Sequence, residues 1–218
     1  KKLNNFPSIF LANEFFDAIP IKQYIKENDL WFERFVDISN TKKVSFINKK
    51  INIKIIEKKL NLKISYNQNF IEYSPLGLKY LKDIIKLIKK NNGGLLIIDY
   101  GYNKEQMKDT LQAIYNKKYS NILENIGNSD ITYNINFHLI KKLVQNFKKL
   151  KTNLTTQKKF LLNMGIKKRA EIICKNRTFT EKADIYYRLR RLIGEKEMGD
   201  LFKVMLITKL NDNFKIGF

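Results

Sequence analysis

The two residue types on which enzymes most often build metal and nucleophile chemistry are nearly absent: there is one cysteine, Cys174, and one histidine, His138. A single cysteine excludes an intramolecular disulfide framework and fits a reducing compartment. One Cys with one His also speaks against a zinc site of the usual ligand types. Glycine is missing where a nucleotide would need it. The nine glycines (77, 93, 94, 101, 127, 165, 194, 199 and 217) include no pair two apart. A doubly wound fold that holds a nucleoside cofactor uses G-x-G spacing after its first strand, so that backbone can approach the ligand. Gly93-Gly94 precedes an apolar run instead of following one. No apolar stretch approaches the length of a membrane span, and the opening KKLNNFPS has no signal-peptide core.

Arginine is scarce too. Only six of the 42 basic residues are Arg, although the net charge is +21. Such a charge can mark a nucleic-acid or anionic-membrane partner. Here the lysines are spread along a chain also rich in Ile and Asn, as AT-rich codons would give any protein, so nucleic acid is not the expected partner. An RNA-directed activity would have to show a steep fall of affinity with salt.

What the chain does have is enough apolar content, 44% over 218 residues, for one good-sized core. It opens on Lys1, a few residues before a strand, and reads as a piece of something longer. SIFLA (8–12) is a short apolar run that stops abruptly at Asn13, Glu14 and Asp17, with Phe15 and Phe16 between. Such a run predicts a buried strand of a parallel sheet. In open α/β sheets chemistry lies beyond the carboxyl strand ends. Ser74-Pro75 predicts a helix start, Leu78, Leu81, Ile84, Ile85 and Ile88 continue it, and Asn92-Gly93-Gly94 ends it. LLIID (95–99) predicts a second buried strand, which puts Asp99 and Tyr100 at its end and completes half a βαβ unit.

Between these, 30–39 and 44–56 alternate apolar with polar residues, with Asn48-Lys49 as a turn, so roughly 30–70 is read as an antiparallel insertion. Residues 107–115 predict a short helical or irregular piece, 120–132 a loop, and 137–149 a helix. Thr156 predicts a cap for a helix closed by Gly165, two amphipathic helices follow, and 201–210 predicts a last strand.

Carboxylates at strand ends can grip a guanidinium through paired hydrogen bonds. Glu14, Asp17 and Asp99 could do so. Equally, Asp17 could cap a helix starting near Ala18 and Asp99 could sit in a turn. His138 has no Ser or Cys motif to serve and reads as structural or solvent-facing; Cys174 reads as a small buried hydrophobe. Arg188, Arg190 and Arg191 read as a solvated helix face.

Several segments resemble one family in order. NEFFDAIP (13–20) resembles NEFFDALP of the MidA-type S-adenosylmethionine-dependent methyltransferases. IEYSPLG (71–77), GGLLIIDYGY (93–102), DTLQAIY (109–115), SDIT (129–132), TQKKFLLNMGIKKRAE (156–171) and MGDLFKVM (198–205) are similar to further elements of that family. The resemblance implies an α/β, Rossmann-like class I methyltransferase fold. Here it would lack the N-terminal glycine-loop strands and carry an inserted antiparallel β region, with 1–218 the C-terminal portion of one methyltransferase domain. It implies S-adenosyl-L-methionine as cofactor and a protein arginine as acceptor, in the mitochondrial relative an arginine of a respiratory complex I subunit. The compartment implied is the mitochondrial matrix or the bacterial cytoplasm, with no metal and no membrane span. Glu14 and Asp17 would grip the acceptor, Asn13 and Phe16 line the cofactor–acceptor junction, and Asp99 and Tyr100 shape the substrate side. One departure matters. Asn134 and Asn136 stand where the family carries His and Asp, and an amide cannot accept a proton at neutral pH. With the absent glycine loop and the high charge, this keeps open a non-catalytic assembly or binding factor on the same scaffold.

Overall fold

The computed structural model describes residues 6–41 and 43–218. In chain order its elements are β1 (Ser8–Asn13), β2 (Lys22–Glu27), β3 (Leu30–Ile38), β4 (Val44–Ile51), α1 (Ile53–Leu60), β5 (Phe70–Tyr73), α2 (Pro75–Asn91), β6 (Gly93–Tyr102), β7 (Gln112–Tyr115), β8 (Lys118–Ser120), β9 (Asp130–Thr132), β10 (Ile135–Asn136), α3 (Phe137–Gln145), β11 (Leu150–Thr156), α4 (Gln157–Asn163), α5 (Ile166–Cys174), α6 (Phe179–Ile193), α7 (Met198–Leu201) and β12 (Phe202–Lys209). They fall into two units, one holding 84–102, 148–218 and the chain up to Glu14, the other 15–83 and 103–147.

In the first unit the strand order is β1-β6-β12-β11. β1 runs parallel to β6, whereas β12 is antiparallel to both β6 and β11. The result is a mixed α/β sheet with one reversed strand, whose core includes Leu95, Ile97, Val204, Met205 and Ile207, all fully buried. Gly93 makes the β1–β6 pairing possible. It pairs with Ser8 at φ +102, and a Cβ there would lie 1.9 Å from the Ser8 carbonyl oxygen. Thr156 caps α4 by accepting from Lys159 N at 3.2 Å, and Gly165 turns the chain at φ +80. Thr178 and Glu181 form a capping box at the start of α6, and Cys174 is buried at the end of α5. The strand β11 has no counterpart in the sequence reading. Its KTNLTT stretch shows no apolar alternation, and the strand forms because β12 offers it a full ladder.

The second unit is built on an antiparallel sheet of order β4-β3-β2-β5, beside a small sheet β8-β7-β9. Asn28 and Asp29, at φ 45° and 62°, make the two-residue turn between β2 and β3 that matches strand twist. Four expectations are corrected here. No turn forms at Asn48-Lys49. β4 runs straight through, with Asn48 opposite Arg34 and Lys49 opposite Glu33, and the chain reverses between β3 and β4 instead, where Ser39 N donates to Lys43 O at 3.0 Å. The stretch from Ile53 is helix, not strand: Asn52 Oδ1 accepts from Lys54 N at 3.1 Å, and the buried Ile53 and Leu60 lie seven residues apart, a helical spacing. Residues 112–115 form β7 where a helical or irregular piece was expected, and β8 and β9 border the loop expected over 120–132. No helix starts near Ala18 either. The segment makes one turn, with Ile19 N donating to Phe16 O at 3.3 Å, because a residue before proline is pushed out of the helical region. Ser74 does cap α2, its Oγ accepting from Gly77 N at 2.9 Å and donating to Pro20 O at 2.8 Å.

Candidate active site

At the end of β1 the last paired residue is Asn13, opposite Ile98. Glu14 takes one further ladder bond, its N–H donating to Ile98 O at 2.9 Å, and then turns the chain at φ +46. A non-glycine residue in that region is strained unless its surroundings hold it. The side chain is held. Tyr100 Oη donates to Glu14 Oε2 at 2.5 Å and Asn13 Nδ2 to Oε1 at 3.4 Å. The Tyr100 ring is fixed in turn by Phe202, with ring centroids 4.4 Å apart. The product is an exposed carboxylate, pre-oriented by two donors, at the carboxyl end of a parallel strand. It can take a cationic, planar donor group such as a guanidinium.

Asp99 is on the opposite face of β6 from Tyr100 and is fully buried, its Oδ1 accepting from Tyr100 N at 2.9 Å. β6 runs on to Tyr102, so Asp99 lies within the strand and not at its tip. Directly across from it is Lys203, whose ammonium donates to the Asp200 carbonyl. Burial holds the Lys203 pKa below the ordinary lysine value, partly offset by the Asp200 charge. The sequence reading did not single out Lys203, although the segment around it was recognised.

Phe16 and Asp17 belong to the second unit, and both are buried, at 4 % exposure each. The Asp17 carbonyl accepts from Tyr133 N at 3.2 Å, and Phe16 lines a small niche with Glu72, Ser74, Gly77 and Asn136. Phe15, by contrast, is 44 % exposed, its ring 5.2 Å from that of Phe16.

The second unit also assembles a polar network from residues given no role in the sequence reading. Glu72, 3 % exposed, accepts from Gln23 Nε2 at 2.7 Å, from Thr110 N at 3.3 Å, and from the Thr110 hydroxyl. Gln23 also donates to Asp109 Oδ1 at 2.8 Å, and Arg34 Nη1 bridges Gln23 Oε1 and Asp109 Oδ2 at 2.9 and 2.7 Å. Burial pushes the Glu72 pKa up, and the hydrogen bonds from Thr110 and Gln23 pull it back. Asn136, at the position where the resembling family has Asp, caps α3 through Oδ1, which accepts from Leu139 N at 3.1 Å. A cap is a role that Asn and Asp fill equally.

Among the described residues no cluster of three or more His, Cys, Asp or Glu side chains could hold a metal ion, and no helix is long and apolar enough to cross a membrane.

Residues 1–156 match a family model described as "Putative S-adenosyl-L-methionine-dependent methyltransferase". The chain is 26% identical over 198 residues to the mitochondrial protein arginine methyltransferase NDUFAF7 of Danio rerio, covering 90% of this chain and 46% of that protein. It is 28% identical over 211 residues to the mitochondrial NDUFAF7 homologue of Caenorhabditis elegans, covering 93% and 48%. The chain thus spans about half the length of these curated relatives. A crystal structure of a Burkholderia thailandensis superfamily member bound to S-adenosyl-homocysteine is similar in fold, with TM-score 0.78 and 22% identity, covering 98% of this chain and 56% of that one.

A nucleoside cofactor can be tested against the residues present. Gly93 is taken up by its approach to Ser8, Gly94 faces Thr208 and Ile207, and Gly77 packs on Ser74 with the Phe16 ring 3.4 Å from where a Cβ would be. The residues that follow β1, Glu14 to Pro20, include no glycine. The described residues therefore offer an adenosyl group no glycine-rich turn after β1. What they supply is an anionic, hydrogen-bonded wall.

Proposed function

The chain belongs to this family of S-adenosyl-L-methionine-dependent methyltransferases, and on that premise we propose that it forms the acceptor side of a methyltransferase that modifies protein arginine. The observation that carries the reading is the Glu14 carboxylate, fixed by Tyr100 and Asn13 at the end of β1. Glu14 receives the guanidinium and orients its nitrogen. Asn13 and Tyr100 keep the carboxylate in place; as the resemblance implies, Asp17 joins Glu14 in gripping the acceptor, and Asn13 and Phe16 line the junction between cofactor and acceptor. Asp99 holds the backbone of Tyr100. When bound, S-adenosyl-L-methionine supplies an electrophilic methyl group; the contribution of these side chains is binding, orientation and charge placement. In this proposal residues 1–218 are the C-terminal portion of one methyltransferase domain, with about 30–70 inserted in it. The acceptor is a protein, by resemblance a subunit of respiratory complex I, met in the mitochondrial matrix or in a bacterial cytoplasm.

Calorimetric titration of S-adenosyl-L-homocysteine tests the reading, with this chain alone and with the protein as its gene encodes it. Binding by the encoded protein supports methyl transfer. Absence of binding in both favours a non-catalytic assembly factor. That second reading is motivated by the lack of a glycine-rich turn after β1 among the described residues and by Asn136 acting as a helix cap.

A further inference from the structure

A cavity of about 230 Å³ opens in the second unit beside the first turn of α3. Ile64 and Leu139 form a buried apolar floor, and the exposed residues Lys63, Lys142 and Glu105 stand around it. Two residues that line it, Asn136 and His138, each carry a side-chain nitrogen, Nδ2 and Nε2, that is buried without a hydrogen-bond partner among the described residues. Asn136 is only 6 % exposed. Its orientation is fixed by the cap: Oδ1 accepts from Leu139 N at 3.1 Å, so the remaining atom is the NH₂ group, a donor. The wall is already built. Gln68 Nε2 donates to Glu105 O at 2.7 Å and Gln68 Oε1 accepts from Met107 N at 2.9 Å, which clamps the loop over 105–107.

Unmatched donors need an acceptor. Asn136 Nδ2 donates, His138 Nε2 donates in its Nε2–H tautomer, and two lysines outweigh one glutamate at the rim. The start of α3, a nine-residue helix, adds its positive dipole end. We propose that this cavity binds a carboxylate on a short apolar stem, with Asn136 and His138 donating to its oxygens and Lys63 and Lys142 balancing its charge. A space of this size suits a small free acid or a glutamate side chain of a protein, not a nucleoside. The site rests on the second unit alone and does not depend on the methyl-transfer reading.

The test is long-range ¹H–¹⁵N spectroscopy of the His138 ring in the protein as encoded, its signals assigned with His138→Gln. Three probes are titrated: glutarate, N-acetyl-glutamate N-methylamide and the neutral glutaramide. A saturable shift of the His138 ring by either acid is expected, with at least tenfold weaker binding of glutaramide. Saturation by glutarate assigns a free acid and saturation by the blocked residue a protein side chain. Asn136→Asp keeps the cap but puts an oxygen where the donor was, and should weaken the acid at least tenfold with α3 amide shifts intact. No His138 response at tens of millimolar acid, equal response to glutaramide, or an unaffected Asn136→Asp variant overturns the site.

Discussion

The Tyr100 hydroxyl donates to the Glu14 carboxylate at 2.5 Å across the end of the β1–β6 pair, from a ring that Phe202 holds at 4.4 Å. Glu14 in turn has a left-handed backbone, at φ +46. An exposed carboxylate on a strained residue, held from two sides, has its orientation settled before any ligand arrives. Tyr100→Phe keeps the ring packing and removes the donor. Stability should change by about 1 kcal/mol at most, because Glu14 is exposed. Methyl transfer by the encoded protein should fall about 10- to 100-fold. Urea unfolding alongside a turnover assay checks both, and undiminished turnover would show that the orientation of Glu14 does not matter.

Glu72 links solution pH to the fold. Its carboxyl pKa is raised in the folded state, chiefly by burial, so the folded chain keeps a proton that the unfolded chain has already released. The stability contributed by this group is therefore complete below the unfolded pKa and lost as pH rises through the folded pKa. In Glu72→Gln that slope should disappear. The amide oxygen of the variant can still accept from Gln23 Nε2 and Thr110 N, and its NH₂ can donate to the Thr110 hydroxyl, so the network should survive at a cost of no more than about 1 kcal/mol. Chemical denaturation at several pH values above 4 measures both effects; an unchanged slope in the variant would contradict the assignment to Glu72.

Gly93→Ala should break the β1–β6 pairing. The new Cβ meets the Ser8 carbonyl at 1.9 Å and the backbone sits at φ +102. Adding the cost of that backbone region to that of an overpacked contact gives about 2–6 kcal/mol. A loss below 0.5 kcal/mol, judged by thermal melting, would mean that the two strands are not in this register.

Asn136→Ala removes the α3 cap and should cost about 0.5–2 kcal/mol, whereas Asn136→Asp keeps the cap and should cost less. Equal losses in the two variants would show that position 136 is not a cap.

Where local signals were strong, the sequence was enough. Ser74-Pro75 starts α2, Thr156 caps α4, and the apolar runs before Asn13 and Asp99 form parallel β1 and β6. Where strand and helix periods coincide over a few residues, it was not. Ile51, Ile53 and Ile55 alternate like a strand, yet Asn52 caps α1, whose buried residues are Ile53 and Leu60. KTNLTT has no apolar pattern and becomes β11 only through its neighbour. The site divides similarly. The rule that chemistry collects past the carboxyl ends of parallel strands puts Asn13, Glu14 and Tyr100 on adjacent strands, and they hydrogen-bond there. Gln23, Glu72 and Thr110 come from three separate segments, and none carries a local mark of burial. Only the tertiary fold brings them together.

The most direct measurement is transfer of a tritiated methyl group from S-adenosyl-L-methionine to protein arginine, in an extract of cells lacking this protein, by the encoded protein and by its Glu14→Gln and Asp17→Asn variants. If these carboxylates handle the acceptor, the parent labels arginine, the variants lose labelling by at least about 100-fold, and circular dichroism shows them folded. Full labelling by both folded variants would contradict the placement of the acceptor at the end of β1.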